Sequence, residues 1–171
     1  FLRTWEEVVK HLGRSRGVNL RQCFHPTSLM GKEVGALLPI PFPGVSGDML
    51  NSITAQAESN NRDYSNGRPV TSPAGAMFAM QVMPSTARDP GFGLRPANPS
   101  NAADMNRLGR EYRDKMQQRY GGDLSKMWGA YNAGPGRVDD LVKRYGNNWL
   151  RYAPRETQDY VAKNLRALRG K

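Results

Sequence analysis

From residue 105 onward, apolar side chains return at steps of three and four. Met105, Leu108, Tyr112, Met116 and Tyr120 fall on one face of a helix that Ser100 can cap and that Gly121 and Gly122 close. A sustained period of this kind fixes the class of fold, because a strand needs apolar positions that alternate. The basic face opposite the stripe reads as solvated surface. The rest of the second half repeats the pattern. Asp123 caps a segment with Leu124, Met127, Trp128 and Tyr131 on one side, and Gly134, Pro135 and Gly136 stop it sharply. Val138, Leu141, Val142 and Tyr145 make a further helix ending at Gly146. After Pro154, Tyr160, Val161, Leu165 and Leu168 recur at helical spacing, with basic residues in the last turns, where they suit the helix dipole. No stretch alternates long enough for a strand, and there is no internal repeat. The expected fold is mainly α-helical, and 171 residues suit one domain with appended material.

The first 47 residues read differently. Residues 4–12, TWEEVVKHL, form a short expected helix with Thr4 and Glu7 at capping-box spacing, and residues 14–45 show no period. They are read as an irregular, Pro-rich arm or linker, which divides the chain into 1–47 and a helical domain over 48–171. The weakly polar run VGALLPIPFPGV, at 34–45, holds three prolines in 12 residues and cannot span a membrane. A single cysteine, Cys23, excludes an internal disulfide, and His11 and His25 are too few ligands for zinc, so no metal and no cofactor is expected. The chain begins at Phe1 with no basic-then-apolar leader, so it is expected to be processed, a fragment, or delivered by another route.

The net charge of +10 is uneven. Residues 1–47 carry 6 basic and 3 acidic side chains, 48–106 carry 4 and 5, and 107–171 carry 15 and 7. A basic flank steers the chain toward anionic polymers, and DNA suits it electrostatically as well as a cell wall does. No recognisable nucleic-acid motif accompanies the charge, so nucleic acid is not the expected partner.

The near-neutral middle carries the chemistry. In SGDMLNSITAQAESNN, at 46–61, Ser46 or Asp48 can cap a helix with Met49, Leu50, Ile53 and Ala57 on one stripe. Glu58 falls in the last turn, about 100° around from Ala57, at the stripe's edge where a carboxylate can face a cleft. The polar segment NNRDYSNGRPVT separates it from SPAGAMFAMQVMPSTA, an apolar run with one amide, Gln81, in which Pro84 can open a short helix.

Glu58 with Ser59, then SPAGA at 72–76, MQVMPSTA at 80–87, AYNAGPG at 130–136 and Tyr160 within PRETQDYV resemble, in order, the motifs of the soluble lytic transglycosylases. These are lysozyme-like enzymes that cut peptidoglycan, and the resemblance covers roughly residues 48–165. It implies a lysozyme-like domain in which one glutamate suffices. Glu58 would protonate the bond between MurNAc and GlcNAc. It would then take the proton from the MurNAc C6 hydroxyl, which attacks C1 and leaves a 1,6-anhydro sugar. Such an acid needs apolar neighbours that raise its pKa, and Met80, Met83, Ala57 and Tyr131 are the expected ones.

By the same resemblance Ser59 orients the acid, Ser72 contacts the N-acetyl or lactyl region or shapes the turn, Gln81 contacts sugar and Met83 walls the pocket. Tyr131 approaches the acid, Asn132 contacts the sugar and Tyr160 closes the cleft. The sequence departs from the family where Phe78 and Ala79 stand in place of Gly and Leu. The long loop at 60–71 and PGFGLRP, at 90–96, are similar to phage- and prophage-encoded wall-cutting enzymes. That implies action at the cell wall or periplasm, carriage in a virion, and virion or wall-spanning partners for residues 1–47. The competing expectations are a muramidase in which water completes the reaction, and a structural virion or secretion component that docks on the wall.

Overall fold

Helix α1, Gly47–Ser59, begins where the sequence places it. Ser46 is extended, and its Oγ accepts a hydrogen bond from the Met49 N–H at 3.1 Å. It ends at Asn60, whose left-handed backbone (φ 56°) turns its N–H back onto the Ala55 and Gln56 carbonyls. Glu58 is thereby fixed in the last turn. The structure is a computed structural model that describes residues 44–170. The expected helix at 4–12, almost all of the Pro-rich arm, and Cys23, His11 and His25 lie outside the described residues.

A small antiparallel hairpin follows α1. Strand β1, Tyr64–Ser65, pairs with β2, Arg68–Pro69, in a register that sets Tyr64 opposite Pro69. Asn66 and Gly67 between them both have positive φ (52° and 74°), the turn that an Asn-Gly dipeptide favours. From composition alone this segment is a polar loop. Strands of two residues are too short to show alternation, and only the Asn-Gly pair signals them.

The remaining elements are helical: α2 (Pro84–Arg88), α3 (Ala102–Arg119), α4 (Leu124–Ala133), α5 (Pro135–Tyr145), a 3₁₀ segment over Gly146–Tyr152, and α6 (Arg155–Arg169). The mainly α-helical expectation is met. The cap of α3 is Asn101 and not Ser100, its side chain accepting from the Asp104 N–H at 2.9 Å. Asp123 caps α4 as expected, through the Lys126 N–H at 3.0 Å. Gly134 (φ 87°) ends α4 and begins α5, and Pro135 takes the first helical position, where its missing N–H costs nothing.

Two apolar clusters fill the interior. Leu50 and Ile53 of α1 meet Met116, Met127, Trp128, Val138, Trp149 and Val161 in one, while Ala55, Phe78, Met80, Val82, Ala87, Met105 and Leu108 form the other. At the first, the fully buried Trp128 donates from Nε1 to Thr54 Oγ1 at 3.0 Å, and Thr54 donates to the Leu50 carbonyl at 2.8 Å. This joint clamps α1 against α4, so the helix carrying Glu58 and the one carrying Tyr131 and Asn132 hold a fixed relation.

The basic face of α3 is not wholly solvated. Arg113 is completely buried; it donates to Asn51 Oδ1 and Gln117 Oε1, both at 2.8 Å, and pairs with Asp114. Burial lowers its pKa and Asp114 opposes that, so the guanidinium keeps its charge through these partners. It lies next to the apolar stripe in the helical wheel, which is why the period alone did not reveal it.

Candidate active site

The site is built on the irregular segment between β2 and α2, and its backbone is held at every turn. The Ala79 N–H donates to Asp63 Oδ1 at 2.9 Å and the Met80 N–H to Asn106 Oδ1 at 3.1 Å, while Asn106 Nδ2 donates to the same Asp63 oxygen at 2.6 Å. Ser59 Oγ donates to the Ala79 carbonyl at 2.9 Å, and the Tyr131 hydroxyl to the Met80 carbonyl at 2.8 Å. The end of α1, the second turn of α3 and the end of α4 are tied through this one segment.

Two of its residues adopt left-handed backbone. Gln81 (φ 48°) turns its side chain back, and Nε2 donates to the Phe78 carbonyl at 2.8 Å and the Val70 carbonyl at 3.3 Å. Phe78 (φ 63°) explains why glycine suits this position: a bulky residue there carries strain of about 1 kcal/mol. Its ring does not enter the cleft. It is 1% exposed, sits edge-on to Tyr64 at 5.8 Å, and recovers the strain by filling the second core cluster.

Beside this segment lies a cleft of about 220 Å³ whose walls include Gln81, Met83, Thr86, Tyr112, Tyr131 and Asn132. Asn132 is oriented by Thr157, which donates from Oγ1 to Asn132 Oδ1 at 2.8 Å. Met83 is 37% exposed and forms an apolar rim.

Glu58 is partly buried next to this cleft without lining it. Its pKa is raised from 4.5 to about 7, first because burial strips water from the carboxylate, with the like charge of Glu156 adding to the rise. The Tyr160 phenol and the Lys163 ammonium oppose it. The phenol is near enough to favour the ionised form yet short of a well-aligned hydrogen bond, since the buried Tyr160 oxygen has no partner of proper geometry among the described residues. Lys163 is anchored by donating from Nζ to the Ala57 carbonyl at 3.0 Å. The phenols of Tyr131 and Tyr160 both sense the Glu58 charge, and burial holds both well above the usual tyrosine range. Both remain neutral, with Tyr131 donating to the Met80 carbonyl. The arrangement supplies one carboxyl that carries its proton near neutrality, two phenols beside it, and a cleft with fixed amides.

The expected residues thus separate into three groups. Gln81, Met83, Tyr131 and Asn132 line one cleft, and Glu58 and Tyr160 meet at its side. Ser59 and Ser72 are turned into the scaffold: Ser59 is buried and its hydroxyl also accepts from the Arg62 N–H at 3.1 Å, while Ser72 Oγ accepts from the Ala76 N–H at 3.0 Å. Ser72 shapes the turn, one of the two roles open to it. Sequence reading missed Asp63 and Asn106, whose contacts span 43 residues, and Tyr112, which it took as core. Among the described residues no cluster of three His, Cys, Asp or Glu is placed to hold a metal ion, and no helix is long and apolar enough to cross a membrane.

The raised pKa makes stability depend on pH. A carboxyl at about 7 in the folded chain and 4.5 unfolded gives stability that is fully present below pH 4.5 and lost as pH rises through 7. The difference reaches at most about 3 kcal/mol. Denaturant unfolding across that range, compared with a Glu58→Gln variant, is expected to show a falling stability in the native chain that the variant lacks. Parallel curves for the two would remove the shifted carboxyl.

The sequence profile of the transglycosylase SLT domain matches residues 45–151. Among solved structures, the X-ray structure of an inactive glutamate-to-glutamine mutant of the lytic transglycosylase Slt from Pseudomonas aeruginosa is similar, with 27% identity and a TM-score of 0.56. The likeness covers 69% of this chain and 20% of that one, so the shared part spans about a fifth of the larger protein.

Proposed function

The chain belongs to the transglycosylase SLT domain family, and from that premise we propose that it is a peptidoglycan lytic transglycosylase of lysozyme-like fold with Glu58 as its sole acid and base. The observation that carries this reading is the Glu58 carboxyl, at about 7, beside a cleft walled by Gln81, Tyr131 and Asn132. A group with that pKa is protonated in about half of the molecules at neutral pH and surrenders its proton without a large penalty, which is what a residue serving first as acid and then as base requires.

In the proposed reaction the Glu58 carboxyl gives its proton to the glycosidic oxygen between MurNAc and GlcNAc as the C1–O bond breaks. The MurNAc N-acetyl oxygen supports the electron-poor C1. The carboxylate then takes the proton of the C6 hydroxyl, whose oxygen closes onto C1 to give 1,6-anhydroMurNAc, and no water is consumed. Tyr160 would steady the charged form of Glu58 between the two transfers, while Tyr131, whose hydroxyl donates to the Met80 carbonyl, would hold the cleft wall beside it. Gln81 and Asn132 are assigned to hydrogen bonds with the sugar, and Met83 to apolar contact. Ser59 and Ser72 are assigned to positioning, through the Ala79 carbonyl and the Ala76 N–H.

The competing reading is a muramidase, in which a second carboxylate activates water. Asp63 serves the scaffold, its Oδ1 accepting from the Ala79 N–H and from Asn106. Among the described residues, Glu156 is the carboxylate whose charge raises the Glu58 pKa. Mass spectrometry of the muropeptides released from purified sacculi separates the two. Anhydro ends are expected, and MurNAc reducing ends would assign the reaction to hydrolysis.

The proposed setting is the bacterial cell wall, with the chain carried in a phage virion or delivered during infection or lysis, residues 1–47 reaching virion or wall-spanning partners. The long loop at 60–71 and the PGFGLRP segment support the phage assignment. A bacterial periplasmic role is the alternative.

A further inference from the structure

Phe92 is an exposed aromatic side chain that the chemistry above leaves unused. It stands at the tip of the connection between α2 and α3, 44% exposed, with a left-handed backbone (φ 53°) between Gly91 (φ 65°) and Gly93 (φ 68°). A Cβ at either glycine would meet nothing within 4 Å, so those positions are glycine for their backbone and not for want of room. Phenylalanine in that conformation is strained, and a ring left 44% exposed recovers only part of that by burial.

The base of the loop is pinned. The Leu94 N–H donates to the Gly91 carbonyl at 2.9 Å, the Ala97 N–H to the Ala87 carbonyl at 2.8 Å, and the Arg107 guanidinium to the Arg95 and Pro96 carbonyls at 3.2 and 3.1 Å. Asp104 bonds the Arg95 side chain and the Asn98 N–H. A rigid base therefore presents one apolar ring to solvent at a fixed place.

That place adjoins the cleft. The Phe92 ring lies edge-on to Tyr112 with centroids 5.8 Å apart, Tyr112 lies edge-on to Tyr131 at 6.1 Å, and both tyrosines line the cleft. Three rings in a row lead from beside Glu58 to the loop tip.

We propose that Phe92 is an outer platform of the substrate groove, receiving the apolar face of a pyranose ring in the same glycan strand, away from the bond being cut. This rests on the reading of the chain as a glycan-cutting enzyme. A pyranose presents C–H groups on its faces and hydroxyls at its rim, so a flat uncharged ring can bury the face while the rim stays in water. Such a platform confers preference for strands long enough to reach it, and it acts on binding and not on the chemical step.

The test uses the full chain and glycan strands of defined length, with Phe92→Ala and Phe92→Trp as the variants. Phe92→Ala is expected to lower the ratio of kcat/KM on long strands to that on the shortest cleaved strand by about tenfold, through KM, and Phe92→Trp to restore it. An unchanged ratio, or an equal loss at every length with a lowered Tm, overturns the platform. The same pair of variants made on a Glu58→Gln background and titrated with the strands reads affinity without turnover. Length-dependent weakening there with no activity in the native chain supports the platform while overturning the proposed reaction. Equal affinity with and without the ring overturns the platform alone.

Discussion

Glu58→Gln is expected to lower the release of soluble fragments from sacculi by about 10³-fold or more while leaving the fold intact. Glutamine has nearly the shape of a protonated glutamate, so it satisfies the same partly buried place beside Tyr131 and Tyr160. It can neither give up a proton at the leaving oxygen nor accept one from the attacking hydroxyl, and the proposed reaction asks one group for both. A second expectation separates chemistry from packing. Because the native carboxyl charges as pH rises through about 7, the variant should be the more stable of the two in mildly alkaline solution. Equal fragment release by both proteins defeats the assignment of Glu58 and, with it, the enzymatic reading.

Gly109→Ala is expected to cost about 3 kcal/mol of stability and to abolish most of the activity of whatever remains folded. Gly109 lies in α3 where that helix passes under the cleft segment. A Cβ placed there would stand 2.5 Å from Met80 Cβ, 3.0 Å from Met80 Cγ and 3.1 Å from the Tyr131 hydroxyl. The clash falls on the root of the Met80 side chain, which has no rotamer to escape into, so the segment itself must move. Its Met80 carbonyl accepts the Tyr131 hydroxyl and its Met80 N–H bonds Asn106, so displacement loosens the wall of the cleft along with the core. Gly136→Ala is the control, since a Cβ there meets nothing within 4 Å. A loss confined to Gly109→Ala, seen in both Tm and fragment release, is the expected outcome; equal behaviour of the two variants would mean that the close approach of α3 is not what shapes the site.

Both expectations concern contacts that the sequence expressed unevenly. The helices after residue 100 were legible because each buries one stripe, and burying one stripe leaves a period of three and four in the order of residues. The ends were legible where a single side chain makes the cap, as at Ser46 and Asp123, and slipped by one residue where Ser100 and Asn101 competed for the same role. Glu58 was legible as a carboxylate at the edge of the α1 stripe, and its motif neighbours Gln81, Met83, Tyr131 and Asn132 as one group by resemblance.

Order along the chain thus determined the class of fold, the position of Glu58 on its helix and the cast of residues around it, since each depends on local spacing or on short motifs. Tertiary structure alone decided which of them face the cleft and what charge Glu58 holds. The inward turn of Ser59, the Asp63 and Asn106 cradle under Ala79 and Met80, the buried Arg113 and the ring row from Tyr131 to Phe92 all join residues distant in sequence. Water exclusion is a property of the packed assembly. No spacing in the chain encodes how much solvent remains at a carboxylate once the helices carrying its neighbours have closed around it.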